Sequence, residues 1–133
     1  MIAARRVGPS PASIAELRAM GTTAWLNAQL SPASINDSAC DTYLKRYPRL
    51  TKTIQQIRQD VTIDNGTWDF MADLGQATLL RALSSRRQLF EVMVDLWSNH
   101  FNIPCPGEKA LFSRHRFDAD IIRTGALGSF EAL

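Results

Sequence analysis

The stretch from Ser85 to Asn102 constrains the fold of this chain more than any other. Ser85 and Gln88 read as a capping box that opens a helix. At about 100° per residue, Glu91, Asp95, Ser98 and Asn102 gather on one narrow polar stripe of it. The remaining arc holds Leu89, Phe90, Val92, Met93, Val94, Leu96, Trp97 and Phe101. An apolar arc this wide predicts a helix enclosed by other elements rather than one lying on a surface. His100 falls near the middle of the arc, between Leu89 and Met93, and so is expected to point into the core.

The rest of the chain supplies the enclosing elements. Ser10-Pro11 starts a helix with Ile14, Leu17 and Met20 on one stripe, and Gly21 stops it. Thr22 or Thr23 restarts a helix carrying Trp25, Leu26 and Leu30, closed by Ser31-Pro32, so these two helices should form a hairpin. Residues 33–38 read as polar loop. Ser38 and Asp41 then resemble a capping pair for a helix bearing Tyr43, Leu44 and Tyr47, which Pro48 ends. Ile54, Ile57 and Val61 follow at helical spacing, and Asp64-Asn65-Gly66 is a strong turn signal. Thr67 is expected to cap a helix through Leu83, with Trp68, Met71, Leu79, Leu80 and Leu83 on its buried side. Pro104-Cys105-Pro106-Gly107 reads as a loop, followed by a helix over Phe117 to Thr124 stopped by Gly125. A final helix begins at Ser129 with Phe130 and Leu133 on one face and has no stop signal, which predicts the front portion of a longer helical domain. Strand signals are confined to Val61-Thr62-Ile63, beside a turn. The expectation is therefore an all-α, irregular array of about six or seven helices, with residues 1–133 forming one helical segment.

Charge and cysteine usage exclude several classes. Twelve of the fifteen basic residues are arginines, but thirteen carboxylates bring the net charge to +2, too little to draw in a polyanion. Cys40 and Cys105 form no CxxC pair, which leaves one long-range disulfide open and a zinc site unsupported. Arg5-Arg6 is followed by Val7-Gly8-Pro9-Ser10-Pro11, a turn where an export signal needs an apolar run, so no signal peptide is encoded. Nor does any run reach the ~18 apolar residues of a membrane span.

Candidate chemistry centres on His100. An inward imidazole is driven neutral by desolvation and still needs hydrogen bonds. It serves either as a structural link to a backbone carbonyl or as a proton carrier or ligand lining a cavity. Asn99, at the edge of the arc, would orient a substrate in the second case and bond a neighbouring loop in the first. His115 with Asp118 could join His100 at a metal, but two histidines in separate elements are more often unrelated. There is no nucleophile elbow, no phosphate-cradling glycine loop and no closely spaced histidine pair, so neither a cofactor nor a metal is expected. Arg81, Arg86 and Arg87, and again Arg114-His115-Arg116, are read as solvated faces rather than as a nucleic-acid surface.

The run Gln88-Leu89-Phe90-Glu91-Val92-Met93-Val94-Asp95-Leu96-Trp97-Ser98-Asn99-His100-Phe101 resembles the bacterial family named domain of unknown function 1800. Its Gln-Leu, Met-Val and Trp-x-Asn-His-Phe elements are all present. Asp120-Ile121-Ile122-Arg123 with Ala126-Leu127-Gly128-Ser129-Phe130 is similar to the family's next block, and Arg6 to Pro11 with Trp25-Leu26 and Gln29-Leu30 to its opening. The chain departs from the family pattern at Val7, where an aromatic is usual, and at Gly125, where a polar residue is often found. The resemblance implies the N-terminal part of a longer protein in a secreted or envelope setting, and it brings no reaction with it. Two functions follow as expectations. One is a helical scaffold or interaction segment, with self-association or the rest of a longer chain as its partner. The other is part of an enzyme with His100 in or near its site.

Overall fold

The computed structural model describes residues 11–60, 67–102, 110 and 112–132, and all regular structure among them is helical. α1 spans Pro11–Met20 and α2 Thr22–Gln29. Between them Gly21 adopts φ 81°, a left-handed conformation that costs a side-chain-bearing residue strain, so the hairpin turns where the glycine permits it. α3 is Ser38–Leu44, α4 Ile54–Asp60, α5 Thr67–Ser84 and α6 Gln88–Phe101, with short 3₁₀ turns at Pro32–Ser34, Pro48–Thr51 and Phe130–Ala132. A continuous helical run over 114–125, here termed α7, is α-helical at Arg114–Arg116, π-wound at Phe117–Ile122 and α-helical again at Arg123–Gly125. The all-α expectation holds. Val61, the Asp64-Asn65-Gly66 turn, the Pro104–Gly107 loop and Leu133 lie outside the described residues.

Several local boundaries moved. The 33–38 segment is part 3₁₀ turn, and its Asp37 is buried. Ser38 is the first residue of α3 rather than its cap; its N–H donates to Asn36 Oδ1 at 3.1 Å, while Asp37 serves another helix. At α4, Thr53 and Gln56 form a reciprocal capping box, Thr53 N–H to Gln56 Oε1 at 2.9 Å and Gln56 N–H to Thr53 Oγ1 at 3.2 Å. The Thr-x-x-Gln spacing that forms this box is visible in the sequence. The segment beginning at Ser129 winds only a 3₁₀ turn.

α5 packs with a different face from the one expected. Of the five residues expected inside, Trp68, Leu79 and Leu83 are exposed and Met71 and Leu80 half-buried, whereas Phe70 and Ala77 are buried and Leu74, Arg81 and Ser84 partly covered. Cys40 of α3, which packs on α5, and Ile57 of α4 are buried as well. A buried cluster joins α6 to α7: Val94, Ile122 and Ala126, with Phe90, Met93, Trp97 and Phe117 packed against them. Trp97 Nε1–H donates to the Ala126 carbonyl at 3.1 Å, which ties the chain after α7 to the last turns of α6. Asn102, left-handed at φ 33° and ψ 61°, ends α6 in the conformation that Asn tolerates best after Gly.

The orientation of α6 is the largest correction. Its buried residues are Val94, Asp95 and Ser98, and the side bearing Val92, Leu96 and His100 is exposed. The polar stripe faces inward and the middle of the apolar arc faces solvent, so His100 does not point into the core. The physical reason is charge. Guanidiniums from α5 and α7 lie beneath the helix, and only the stripe carrying Glu91 can meet them.

Candidate functional site

Two surfaces of α6 concentrate the unusual features, and the inner one is polar. Glu91 takes Arg123 of α7 in a two-pronged ion pair, Arg123 Nη1 to Oε2 at 3.0 Å and Nη2 to Oε1 at 2.5 Å. Both side chains are mostly covered, at 12% and 18% exposure, and the Arg123 guanidinium also lies over the Phe90 ring, 5.0 Å from its centroid. Burial alone would lower the Arg123 pKa; the hydrogen bonds and charge of Glu91 carry it above the ordinary arginine value. Arg81 of α5 is in the opposite position, lowered first by burial and then by the like charge of Arg123. Asp118, buried in the π-wound segment, acts electrostatically on Arg81, Arg114 and Arg123 together. The Cys40 thiol sits beside this cluster. Burial pushes its pKa up, a hydrogen bond from Ser84 works the other way, and the negative charges of Asp37 and Glu91 raise it further.

The N-terminal end of α6 is clamped by side chains from early in the chain. Asp37 accepts Ser85 Oγ–H at 2.6 Å and the Arg86 N–H at 2.8 Å. Gln29, buried at the end of α2, donates to the Arg86 carbonyl at 3.0 Å and accepts the Leu89 N–H at 3.1 Å. Ser85 Oγ accepts the Arg87 N–H at 3.1 Å, so Ser85 forms a local turn before the helix and the expected capping box is replaced by this long-range clamp. Arg86 is exposed and ion-paired with Glu16. Of the three arginines read as a solvated face, only Arg86 behaves so, because Arg81 and Arg87 are partly buried.

His115 fills the role that the sequence assigned to His100. It is 2% exposed, and its Nε2 lies 2.8 Å from the Lys52 carbonyl oxygen, which fixes Nε2–H as donor. Nδ1 is buried without a hydrogen-bond partner among the described residues. The ring meets the Phe70 edge at 4.9 Å, so it links α7 to the connection before α4 and to α5. Desolvation lowers its pKa, opposed by the Lys52 carbonyl. The Arg114-His115-Arg116 run is therefore not a solvated face: Arg114 and His115 are buried and Arg116 is half-buried. In sequence the flanking arginines disguised it.

The outer surface of α6 is apolar and aromatic. Val92 is 62% exposed and Phe130 61%, and Leu96 and Phe101 also face solvent. His100 stands among rings, with centroids 5.8 Å from Trp97, 5.2 Å from Phe101 and 6.1 Å from Phe130, each near-perpendicular. Asn99 does not join it in a polar site: its Nδ2 donates to the Asp95 carbonyl at 2.6 Å, back along its own helix. Nor does the structure bring His100, His115 and Asp118 together, and no group of three or more His, Cys, Asp or Glu suited to a metal ion occurs among the described residues. No helix among them is long and apolar enough to cross a membrane.

A family model described as "Protein of unknown function (DUF1800)" matches residues 3–133. No curated protein and no solved structure matches the chain.

Proposed function

Because the chain belongs to the DUF1800 family, whose description carries no reaction, we propose that it acts as a helical interaction segment presenting the outer face of α6 to an apolar protein surface. The supporting observation is the exposed run of Val92, Leu96, His100 and Phe101 on a helix whose inner face is held by the Glu91–Arg123 ion pair, with exposed Phe130 stacked beside Phe101. Water pays no entropy-driven dividend for leaving such a patch open, and contiguous apolar patches of this kind mark docking sites in folded proteins. The secreted or envelope setting belongs to the same proposal and is supported by the resemblance of the sequence blocks alone. An enzyme with His100 at its site is less well supported, since among the described residues the ring's contacts are with the aromatic Trp97, Phe101 and Phe130.

The test pairs Val92→Glu with Leu96→Lys in one variant and compares it with the natural chain by sedimentation and by binding of an apolar dye. The natural chain should self-associate as concentration rises and take up dye. The variant should be monomeric, bind less dye and unfold within about 0.5 kcal/mol of the natural chain, as exposed substitutions do. A natural chain that stays a compact monomer and excludes dye, or a variant that loses its fold, overturns the proposal.

A further inference from the structure

The first turn of α7 and its far end are held by different parts of the molecule. At the far end Arg123 is paired with Glu91, Ile122 and Ala126 pack on Val94, and the Ala126 carbonyl receives Trp97 Nε1–H, so that end belongs to α6. The first turn, Arg114–Arg116, is tied to α4 and α5 instead. His115 reaches the Lys52 carbonyl at 2.8 Å and the Phe70 ring at 4.9 Å, and Arg58 of α4 lies over Phe112, 5.9 Å from the ring centroid. Beside this turn a groove of about 290 Å³ lies between Ile54 of α4 and Ser113, Phe117 and Ile121, so the contact is incompletely packed. Between the two attachments run the π-wound residues Phe117–Ile122, which interrupt the regular α-helical ladder.

The His115 ring suits its place only while neutral. It is 2% exposed, Nε2–H serves the Lys52 carbonyl, and Nδ1 is buried with no hydrogen-bond partner among the described residues. A lone pair can stay there, but protonation would add an N–H and a full positive charge out of water and without an acceptor. The carboxylates nearby already serve other cations. On α7, Arg114 and Arg116 flank the ring, Asp120 is bound to Arg116, and Asp118 acts on Arg81, Arg114 and Arg123. On the α4 side the Lys52 ammonium pairs with Asp60, and Arg58 adds a further positive charge; on α5, Asp69 and Asp73 are taken by Arg49. We propose that His115 is an acid-released latch: protonation frees the first turn of α7 from Lys52 and Phe70, and the π-wound segment lets that turn move while the far end stays on α6.

The direction follows from proton binding. In water the ring titrates at about 6.5, and burial holds it lower in the closed state. The open state therefore binds more protons, and the opening equilibrium should rise about tenfold per pH unit from 6.5 down to the lowered value, then level off. Amide hydrogen exchange, read by NMR between about pH 7.5 and about 4.5 and divided by the unstructured rate at each pH, tests this. The reporters are the N–H groups of Arg114 and Phe117, bonded to the Ala110 and Ser113 carbonyls at 2.9 Å. Those of Glu91 and Gly128, bonded to the Arg87 and Gly125 carbonyls at 3.0 and 2.8 Å, are the controls. Exchange at the reporters should accelerate by about tenfold per unit in that window while the controls change by less than about threefold. His115→Gln, which keeps a donor but does not titrate, should abolish the acceleration. No acceleration, an equal acceleration at the controls, or one that survives His115→Gln overturns the proposal. Should His115→Gln fail to fold, the natural chain decides: a ratio of reporter to control exchange that stays constant with pH overturns it, and one that rises only within the window upholds it.

Discussion

Replacing Glu91 by Gln keeps the shape of the side chain and removes the charge that holds α6 over α7. In the natural chain the carboxylate meets Arg123 with two hydrogen bonds, and both side chains are less than a fifth exposed, at 12% and 18%. At an effective dielectric constant of about 20, two unit charges about 4 Å apart attract by about 4 kcal/mol. Breaking a buried pair from one side typically costs about 3–5 kcal/mol, because the remaining ion stays out of water. Arg81 adds to the loss, since the field of Glu91 supports it against the like charge of Arg123. We expect Glu91→Gln to lower unfolding free energy by about 3–5 kcal/mol, a large share of the roughly 5–15 kcal/mol of a typical domain. Urea unfolding should show the lower midpoint with an unchanged slope. The double variant Glu91→Leu/Arg123→Met removes both charges together and should recover much of the loss, giving a coupling energy above about 1 kcal/mol in a double-mutant cycle. A cost for Glu91→Gln below about 1 kcal/mol, or strict additivity of the singles, would refute the view that this pair sets the orientation of α6.

Two further outcomes follow from groups buried elsewhere. His115 is held below its ordinary pKa of 6.5, so between that lowered value and 6.5 the unfolded chain binds more protons than the folded one, and stability falls as pH drops through this window and levels off below it. His115→Gln retains an N–H donor for the Lys52 carbonyl without titrating, so the difference in urea midpoint between it and the natural chain should change with pH across that window; a constant difference counts against a buried neutral ring. Cys40, whose thiol burial pushes up, should resist alkylation by iodoacetamide in the folded Cys105→Ser protein at neutral pH and react fully in denaturant, whereas rapid native labelling would place it outside the core.

The parts of this fold that were legible in sequence are the ones decided locally. Gly21, with its positive φ, separates α1 from α2 where the turn signal stood. The apolar spacing of Ile54 and Ile57 placed α4, and the extent of α5 came within a residue of its observed end at Ser84. What sequence periodicity could not decide was which side of a helix is the inside. For α5, Trp68 and Leu83 outweighed Phe70 and Ala77 by size, yet Phe70 and the small Ala77 are the buried residues. Asp37 and Gln29 were illegible for a different reason, because their partners lie far away in the sequence, at Ser85, Arg86 and Leu89.

The inversion of α6 shows the limit of reading burial from hydrophobicity alone. A periodic analysis assigns the wide apolar arc to the interior because transfer from water favours it at roughly 25 cal/mol per Å². It weighs Glu91 as a cost of burial, since it cannot know that Arg123 arrives from 32 residues later to receive it. Once that pair forms, rotating α6 to hide Val92 and Leu96 would strand both Glu91 and Arg123, at a cost comparable to the whole gain from covering those two side chains. The helix therefore keeps its charged stripe inside, and the side bearing Val92 and Leu96 faces solvent. On this argument His100 stays outside the core, among the rings of Trp97, Phe101 and Phe130, and the histidine that locks the fold is His115.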